Sequence, residues 1–374
     1  MRVLYFTRDY TPHDHRFLSA LASSGHEIYF LRLERREASD GEPGLPTGVE
    51  AISWRGGRAP ARLSDGPALL FDLKRVVKRI HPDVVHAGPI QTSAFLTAAA
   101  GIHPLVAMSW GSDLLFDAER GAGWKWITRY TLQHTTVLVG DCMAVQEKAV
   151  KFGFPSERVV LFPWGVDLSR FKPGADGGWR ARLGWEDRFV ILSLRNWEPL
   201  YGVDIVVRAF GLAAHQNPDL RLILLGSGSQ EKTLRGILQE AGVMERVHIG
   251  GRLTQEQLPE VYRAADLYVS ASHSDGSSVS LLEALASGLP VLVSDIPGNR
   301  EWITGEDDSP GWLFPDGDAE ALARGLLRAA DERPRLTAMK RAARCLAEAR
   351  ADWPSNFNKL LLAYLMAREI DARR

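Results

Sequence analysis

Residues 270–303 read SASHSDGSSVSLLEALASGLPVLVSDIPGNREWI, and their order sets the kind of sheet this chain builds. An apolar run ends at Ser270, a polar turn follows, and a helix opens at Gly276-Ser277-Ser278-Val279-Ser280. Past Gly288-Leu289-Pro290 a second apolar run begins. Strand, crossover helix and strand are the repeating unit of a parallel sheet. Backbone N–H groups at a helix start lack intrahelical partners and carry the positive end of the macrodipole, so this turn can hold a phosphate without a basic surface. Asp275 and Glu283 have seven residues between them, which places one carboxylate at the mouth of that anion site and the other inside the helix. Each accepts two or more hydrogen bonds, which suits a hydroxyl-rich ligand. The same residues also read as plain structure: Asp275 as a turn residue, Ser277 or Ser278 as an N-cap, and Glu283 as the partner of a surface base.

Outward from this unit, short Val-, Ile- and Leu-rich runs alternate with amphipathic stretches over almost the whole chain, the pattern of α/β layers. The first half predicts strands over 3–6, 28–33, 49–54, 84–86, 105–108, 136–139 and 159–162, with helices over 17–24, 69–80, 92–100, 124–133 and 144–152. Residues 165–184 lose the periodicity, are rich in Gly and charge, contain Pro173, and read as a linker. Strands resume over 189–194, 220–225, 247–249, 267–269 and 290–293, with helices over 203–215, 231–240, 255–263 and 280–287. From 319 onward the chain reads as helical apart from Pro334 and Pro354. The expected fold is α/β, with two facing doubly wound Rossmann-like domains across a cleft, at 1–170 and 171–353. A final helix, 354–374, packs back on the first domain.

The length of 374 residues agrees with two domains. Forty-five basic against 46 acidic residues remove any global electrostatic reason to bind nucleic acid, so an anionic ligand must be met locally. The balance holds on both sides of Arg170, with 20 basic and 18 acidic residues before the cut and 25 and 28 after it. Two cysteines, Cys142 and Cys345, support neither a disulfide framework nor a thiolate metal site, and a reducing cytoplasm is the expected home. The opening MRVLYFTRDY reads as a strand rather than a signal peptide. Residues 84–112 carry no Asp, Glu, Lys or Arg, but Gly101-Ile102-His103-Pro104 interrupts them, so they read as α/β core and not as a membrane span.

The segment that opens this account resembles the signature of retaining glycosyltransferase family 4 (glycosyl transferases group 1), which has the two-domain GT-B fold. That signature is a carboxylate, seven residues, and a Glu ahead of an Ala-rich helix and a Gly-Leu-Pro turn. It matches Asp275, Glu283-Ala284-Leu285-Ala286 and Gly288-Leu289-Pro290. GHEIYFL from Gly25, FPWGVDLSRF from Phe162 and GWLFPDGD from Gly311 follow in the family's order. The resemblance implies that Glu283 binds the ribose of a nucleotide-sugar donor and that Asp275, usually Glu, contacts the sugar near its reacting carbon. Amides of Gly276, Ser277, Ser278, Val279, Ser280 and Leu281 would hold the diphosphate and sugar.

ILSLRNWEPLYG, residues 191–202, places Arg195 at a strand end, where its planar fork of donors fits phosphate oxygens. The plain alternative pairs it with Glu198. Relatives usually carry a Lys six residues after this Arg; here Tyr201 stands there, able to donate one hydrogen bond but no charge. Arg195, Asp275 and Glu283 are therefore the expected catalytic residues. Tyr201, Gly226 in Leu225-Gly226-Ser227-Gly228-Ser229, and Arg252 after the next strand join them as donor-binding residues. The GxG alone is weak evidence of a dinucleotide site, since Glu231 replaces the third glycine.

In the first domain, Tyr10-Thr11-Pro12-His13-Asp14-His15-Arg16 replaces the family's Gly-Gly loop and reads as a solvated loop. His13 and His15 lack a third ligand, and no metal or cofactor is expected. Trp110 stands where relatives carry a His, which removes any histidine base at that point. Arg16, Trp110 and Asp113 are the candidates for the acceptor or sugar side. Asp316-Gly317-Asp318 reads as a helix cap.

The resemblance implies a cytoplasmic, retaining hexosyltransferase that moves a sugar from a UDP- or GDP-sugar to a glycan or lipid-linked acceptor, in surface polysaccharide or glycolipid synthesis. A nucleotide-sugar isomerase or hydrolase, and a binding protein without turnover, are the alternatives. Gly123-Trp124-Lys125-Trp126-Ile127-Thr128-Arg129-Tyr130 mixes aromatics and bases as bilayer-docking helices do, while a buried aromatic helix with solvated Lys125 and Arg129 is the blander reading.

Overall fold

The structure, a computed structural model, describes residues 1–35, 44–58, 60–303 and 309–373. It contains two compact units, Met1–Phe162 with Phe357–Arg374, and Pro163–Asn356.

The first unit holds seven strands: β1 (Arg2–Thr7), β2 (Glu27–Arg32), β3 (Val49–Ala51), β4 (Val84–Gly88), β5 (Leu105–Met108), β6 (Val137–Gly140) and β7 (Val159–Leu161). They pair in parallel in the order β3-β2-β1-β4-β5-β6-β7. The central strands β4, β5 and β6 are buried at every residue, as a sheet covered on both faces requires. The uncharged stretch 84–112 is thus core: β4, a wide helical turn Ile90–Ala94, the helix Phe95–Ala99, and β5. Among the described residues no helix is long and apolar enough to cross a membrane.

The second unit holds β8 (Phe189–Leu194), β9 (Leu220–Leu225), β10 (Val247–Gly251), β11 (Leu267–Ser270), β12 (Val291–Ser294) and β13 (Gly311–Phe314), all parallel, in the order β10-β9-β8-β11-β12-β13. Alternate residues of β8 feed opposite layers. Phe189 and Ile191 pack with the helices Val203–Gln216 and Ala319–Asp331, and Val190 and Leu192 pack with the helices Leu258–Ala264 and Val279–Ala286. In both sheets the strand order reverses once, between β1 and β4 and between β8 and β11. In doubly wound sheets ligands bind at such a reversal, outside the carboxyl ends of the strands.

Two expectations change. Residues 165–184 are packed into the second unit: Val166 and Phe171 are buried, Val166 bonds the Ala351 carbonyl at 2.7 Å, and Trp179–Leu183 is a short helix. The stretch 10–16 is not a loop, because a helix runs over Pro12–Ala22. Thr11 and Asp14 form a capping box there, and Pro12 occupies the first turn. His13, His15 and Arg16 are therefore helical residues. The Thr-Pro-x-Asp order carried that signal, and the two histidines obscured it.

Asp14 is buried under this cap, accepting hydrogen bonds from the Tyr5 hydroxyl at 2.9 Å and the Thr11 amide at 2.9 Å. Burial raises its pKa to about 6 and outweighs the hydrogen bonds that lower it. Because the folded pKa lies above the unfolded one, this group's contribution to stability is complete below pH 3.8 and is lost as pH rises through about 6. Relative to Asp14→Asn, the wild type should lose on the order of 3 kcal/mol between pH 4 and pH 7.5. Urea unfolding of both proteins across that range measures it, and a pH-independent difference would contradict the assignment.

Candidate active site

Arg195 immediately follows β8, and the turn carrying Asp275 follows β11, so the two side chains leave the strands that flank the reversal. They meet: Arg195 Nη2 lies 2.5 Å from Asp275 Oδ2. Arg195 Nη1 donates to Ser278 Oγ at 2.5 Å and to Ser280 Oγ at 3.2 Å. The Tyr201 ring covers the guanidinium face, with Cζ 4.3 Å from the ring centroid. The side chains of Arg195 and Asp275 are only 12% and 20% exposed, so breaking the pair strands a charge in a poorly solvated place. Burial, the largest influence on Arg195, lowers its pKa, but Asp275 and the nearby phenols together outweigh it and the pKa is raised. Glu198 is not the partner of Arg195. It accepts from the Ser229 amide at 2.9 Å and the Ser229 hydroxyl at 2.5 Å.

Ser278 occupies the N-cap position of the helix Val279–Ala286 but makes no cap bond. Its hydroxyl serves Arg195 instead, so the Ser278 side chain does not cap the helix. Glu283, expected in the plain reading to meet a surface base, is buried one turn inside. The Tyr262 hydroxyl lies 2.8 Å from Glu283 Oε2 and 3.1 Å from the Ser280 carbonyl oxygen. Burial first, and Glu283 next, drive the Tyr262 pKa well up, so the phenol stays protonated and donates. Tyr268 adds a hydroxyl 2.8 Å from Ser280 Oγ. Arg195, Tyr201, Asp275, Ser278, Ser280 and Glu283 therefore belong to one network.

Three glycines let the loops close on this network. Gly202 lies at φ +57°, where a Cβ would come within 2.1 Å of the Ala271 carbonyl oxygen. Gly226, at φ +132°, fits against the Arg195 carbonyl, which a Cβ would approach to 2.1 Å. Gly228 packs on the Trp197 backbone. The glycines of 226–228 thus have a packing reason of their own. Arg252 is exposed beyond β10, outside this network.

The other expected residues lie in the first unit. Trp110 is half-buried, its ring centroid 6.0 Å from those of His13 and Phe17 on the helix Pro12–Ala22, where Arg16 also sits half-buried. Asp113 is buried and committed to its own loop, accepting from Ser109 Oγ at 2.6 Å, the Ile90 amide at 3.0 Å and the Leu114 amide at 3.0 Å. Burial raises its pKa against these bonds. Asp318 caps the helix Ala319–Asp331, and Asp316 meets His273 Nδ1 at 2.7 Å. Among the described residues no group of three or more His, Cys, Asp or Glu is placed to hold a metal ion.

Sequence reading missed Tyr262, Tyr268 and Gly298. The tyrosines read as ordinary members of a helix and a strand, with nothing local to tie them to Glu283 or Ser280. Gly298 abuts the Asp275 turn, and a Cβ there would stand 2.5 Å from the carbonyl oxygens of both Asp275 and Gly276. Gly298→Ala should therefore displace the turn, cost about 1–3 kcal/mol, and weaken ligand binding at Arg195. Gly236→Ala, in the helix Glu231–Glu240 with open space around its Cβ, should instead stabilise by up to about 1 kcal/mol. Thermal melts and nucleotide titrations of the two variants check this, and equal behaviour would refute the close-approach argument.

Residues 178–345 match the model of Glycosyl transferases group 1, and residues 13–170 match that of Glycosyltransferase Family 4. Curated relatives include the mannosylfructose-phosphate synthase of Agrobacterium fabrum, 30% identical over 44% of this chain and 40% of that protein. The D-inositol 3-phosphate glycosyltransferase of Nocardia farcinica is 32% identical over 58% of this chain and 49% of that protein. These matches thus span half or less of the relatives' length. Among solved structures, the sucrose-phosphate synthase of Thermosynechococcus elongatus aligns over 100% of both chains with a TM-score of 0.80 at 18% identity. Anabaena HepE in complex with UDP aligns over 97% of this chain and 99% of that one, with a TM-score of 0.77 at 18% identity. The matched regions together take in the second sheet, six of the seven strands of the first and the whole Arg195 network, and this chain belongs to glycosyltransferase family 4, of the GT-B fold.

Proposed function

We propose that this chain transfers a sugar from a nucleoside-diphosphate sugar to a glycan or lipid-linked acceptor with retention of anomeric configuration, in surface polysaccharide or glycolipid biosynthesis. One observation carries the reading. Arg195 is fixed beside a helix start that Ser278 does not cap, at the β8–β11 reversal, where donors converge that suit a departing diphosphate. The second unit, which contains the expected 171–353 span, takes the donor, and the first unit takes the acceptor.

In this mechanism Arg195 and the amides at Ser278, Val279, Ser280 and Leu281 stabilise the charge that grows on the leaving phosphate. Glu283, aligned by Tyr262, binds the ribose hydroxyls, and Asp275 contacts the sugar. Gly226 and Arg252 lie on the nucleotide side, and Arg16, Trp110 and Asp113 on the acceptor side, with Asp113 acting by bracing the loop behind Trp110. Trp110 is no base in the usual pH range. The acceptor proton therefore passes to the leaving phosphate oxygen as the acceptor oxygen bonds the anomeric carbon on that same face and the carbon–oxygen bond to phosphate breaks. UDP is the first donor nucleotide to test, because HepE was solved with UDP and with UDP-glucose.

Peripheral docking on a bilayer is part of this reading. On the helix Ala122–Gln133, Trp126 is 60% exposed, with Lys125 and Arg129 exposed beside it, which supports docking, while Trp124 and Tyr130 are half-buried as the blander sequence reading expects.

Screening UDP-, GDP- and ADP-sugars for thermal stabilisation identifies the donor. With that donor, Arg195→Ala should lower turnover by about 10²–10³-fold, and Glu283→Ala should sharply reduce donor use. Proton NMR of the product should show the donor's anomeric configuration. Inversion, or unchanged turnover in either variant, would refute the mechanism. Flotation with anionic vesicles should recover the wild type and lose Trp126→Ala; wild type that stays in the soluble fraction would end the bilayer reading.

A further inference from the structure

Tyr201 stands at the position where the family resemblance calls for Lys, so what it does for Arg195 is particular to this chain. We infer that Tyr201 is a positioning residue that works through its ring face: stacked on Arg195, it sets the plane in which the guanidinium meets the leaving phosphate, and its hydroxyl is dispensable. The phosphate half of this inference rests on the function proposed above.

The guanidinium has a specific mechanical problem. Nη1 is tied to Ser278 and Ser280, and Nη2 to Asp275, all on the β11 side. Nε is buried without a hydrogen-bond partner among the described residues. These three ties all lie at the Nη end, and the aromatic face 4.3 Å from Cζ restrains the tilt of the plane. A ring at that distance attracts the cation through its quadrupole and shields it from water, which strengthens the ties to Asp275 and the serines.

The ring is itself held. Tyr201 closes the helical turn Pro199–Tyr201, its amide donating to the Glu198 carbonyl at 2.9 Å. Glu198 is anchored through its side chain to Ser229, and Gly202 is locked against Ala271. The ring thus stands on a turn pinned at both ends. A lysine on the same turn would add a charge and leave the Arg195 face open. This chain keeps one cation and fixes its orientation instead.

The test separates ring from hydroxyl. In protein labelled with ¹⁵N-arginine, the Arg195 Nε–Hε signal, assigned by its loss in Arg195→Lys, should show the same ring-current shift in wild type and Tyr201→Phe and lose it in Tyr201→Leu. Calorimetry with inorganic pyrophosphate should give affinities for wild type and Tyr201→Phe within about threefold, and at least about tenfold weaker binding for Tyr201→Leu. Thermal midpoints report folding, and Tyr201→Met replaces the Leu variant if that one unfolds. An unchanged Arg195 signal in the aliphatic variant would overturn the stacking role. Binding lost as far in Tyr201→Phe as in Tyr201→Leu would show that the hydroxyl is the working group. If wild type shows the ring-current shift but binds no pyrophosphate, the phosphate half fails together with the proposed function, while the stacking result stands by itself.

Discussion

The ion pair between Arg195 and Asp275 joins the ends of β8 and β11, the two strands between which the second sheet reverses its order. A reversal of this kind leaves a crevice because the connections on either side depart to opposite faces. Here the crevice edge is fastened by a charged contact of low exposure. The serines at the helix start accept hydrogen bonds from the same arginine, and the Tyr201 ring covers its face. Gly202, Gly226 and Gly298 are the steric counterpart, since a side chain at any of them would push apart the loops that the pair draws together.

In the proposed function this arrangement reconciles the near-zero net charge of the chain with an anionic ligand. Electrostatic attraction here does not come from an excess of bases, as 45 basic and 46 acidic residues leave none. In the proposed function it comes from one arginine whose charged form is favoured by its partners, and from backbone dipoles at a helix start that the Ser278 side chain does not cap. Both are held in place by the protein's own contacts, so under the proposed mechanism little reorganisation accompanies the development of charge.

Much of this was legible in the sequence, for identifiable reasons. Buried parallel strands read as continuous apolar runs, which is why β4, β5, β6 and β8 were found close to their true limits. The Gly- and Ser-rich opening of the helix Val279–Ala286 is a local signal of a helix start, and the helix begins there. The pairing of Arg195 with Asp275 spans 80 positions, and nothing within either segment announces it; Glu198, three residues away, was the local competitor. Tyr262 was invisible for the same reason, since its bond to Glu283 is made between a helix and the start of another. The helix Pro12–Ala22 was readable from Thr11, Pro12 and Asp14, but chemistry-bearing histidines drew the reading toward a loop.

The central claim is that Arg195 and the adjoining helix start recognise a diphosphate. The most direct measurement is calorimetric binding of a nucleoside diphosphate and of its parent nucleoside to wild type and Arg195→Ala. The account predicts that the diphosphate binds much more tightly to wild type, and that Arg195→Ala removes most of this advantage while leaving nucleoside binding unchanged. Equal affinity of wild type for the two ligands, or an advantage that survives Arg195→Ala, would contradict it.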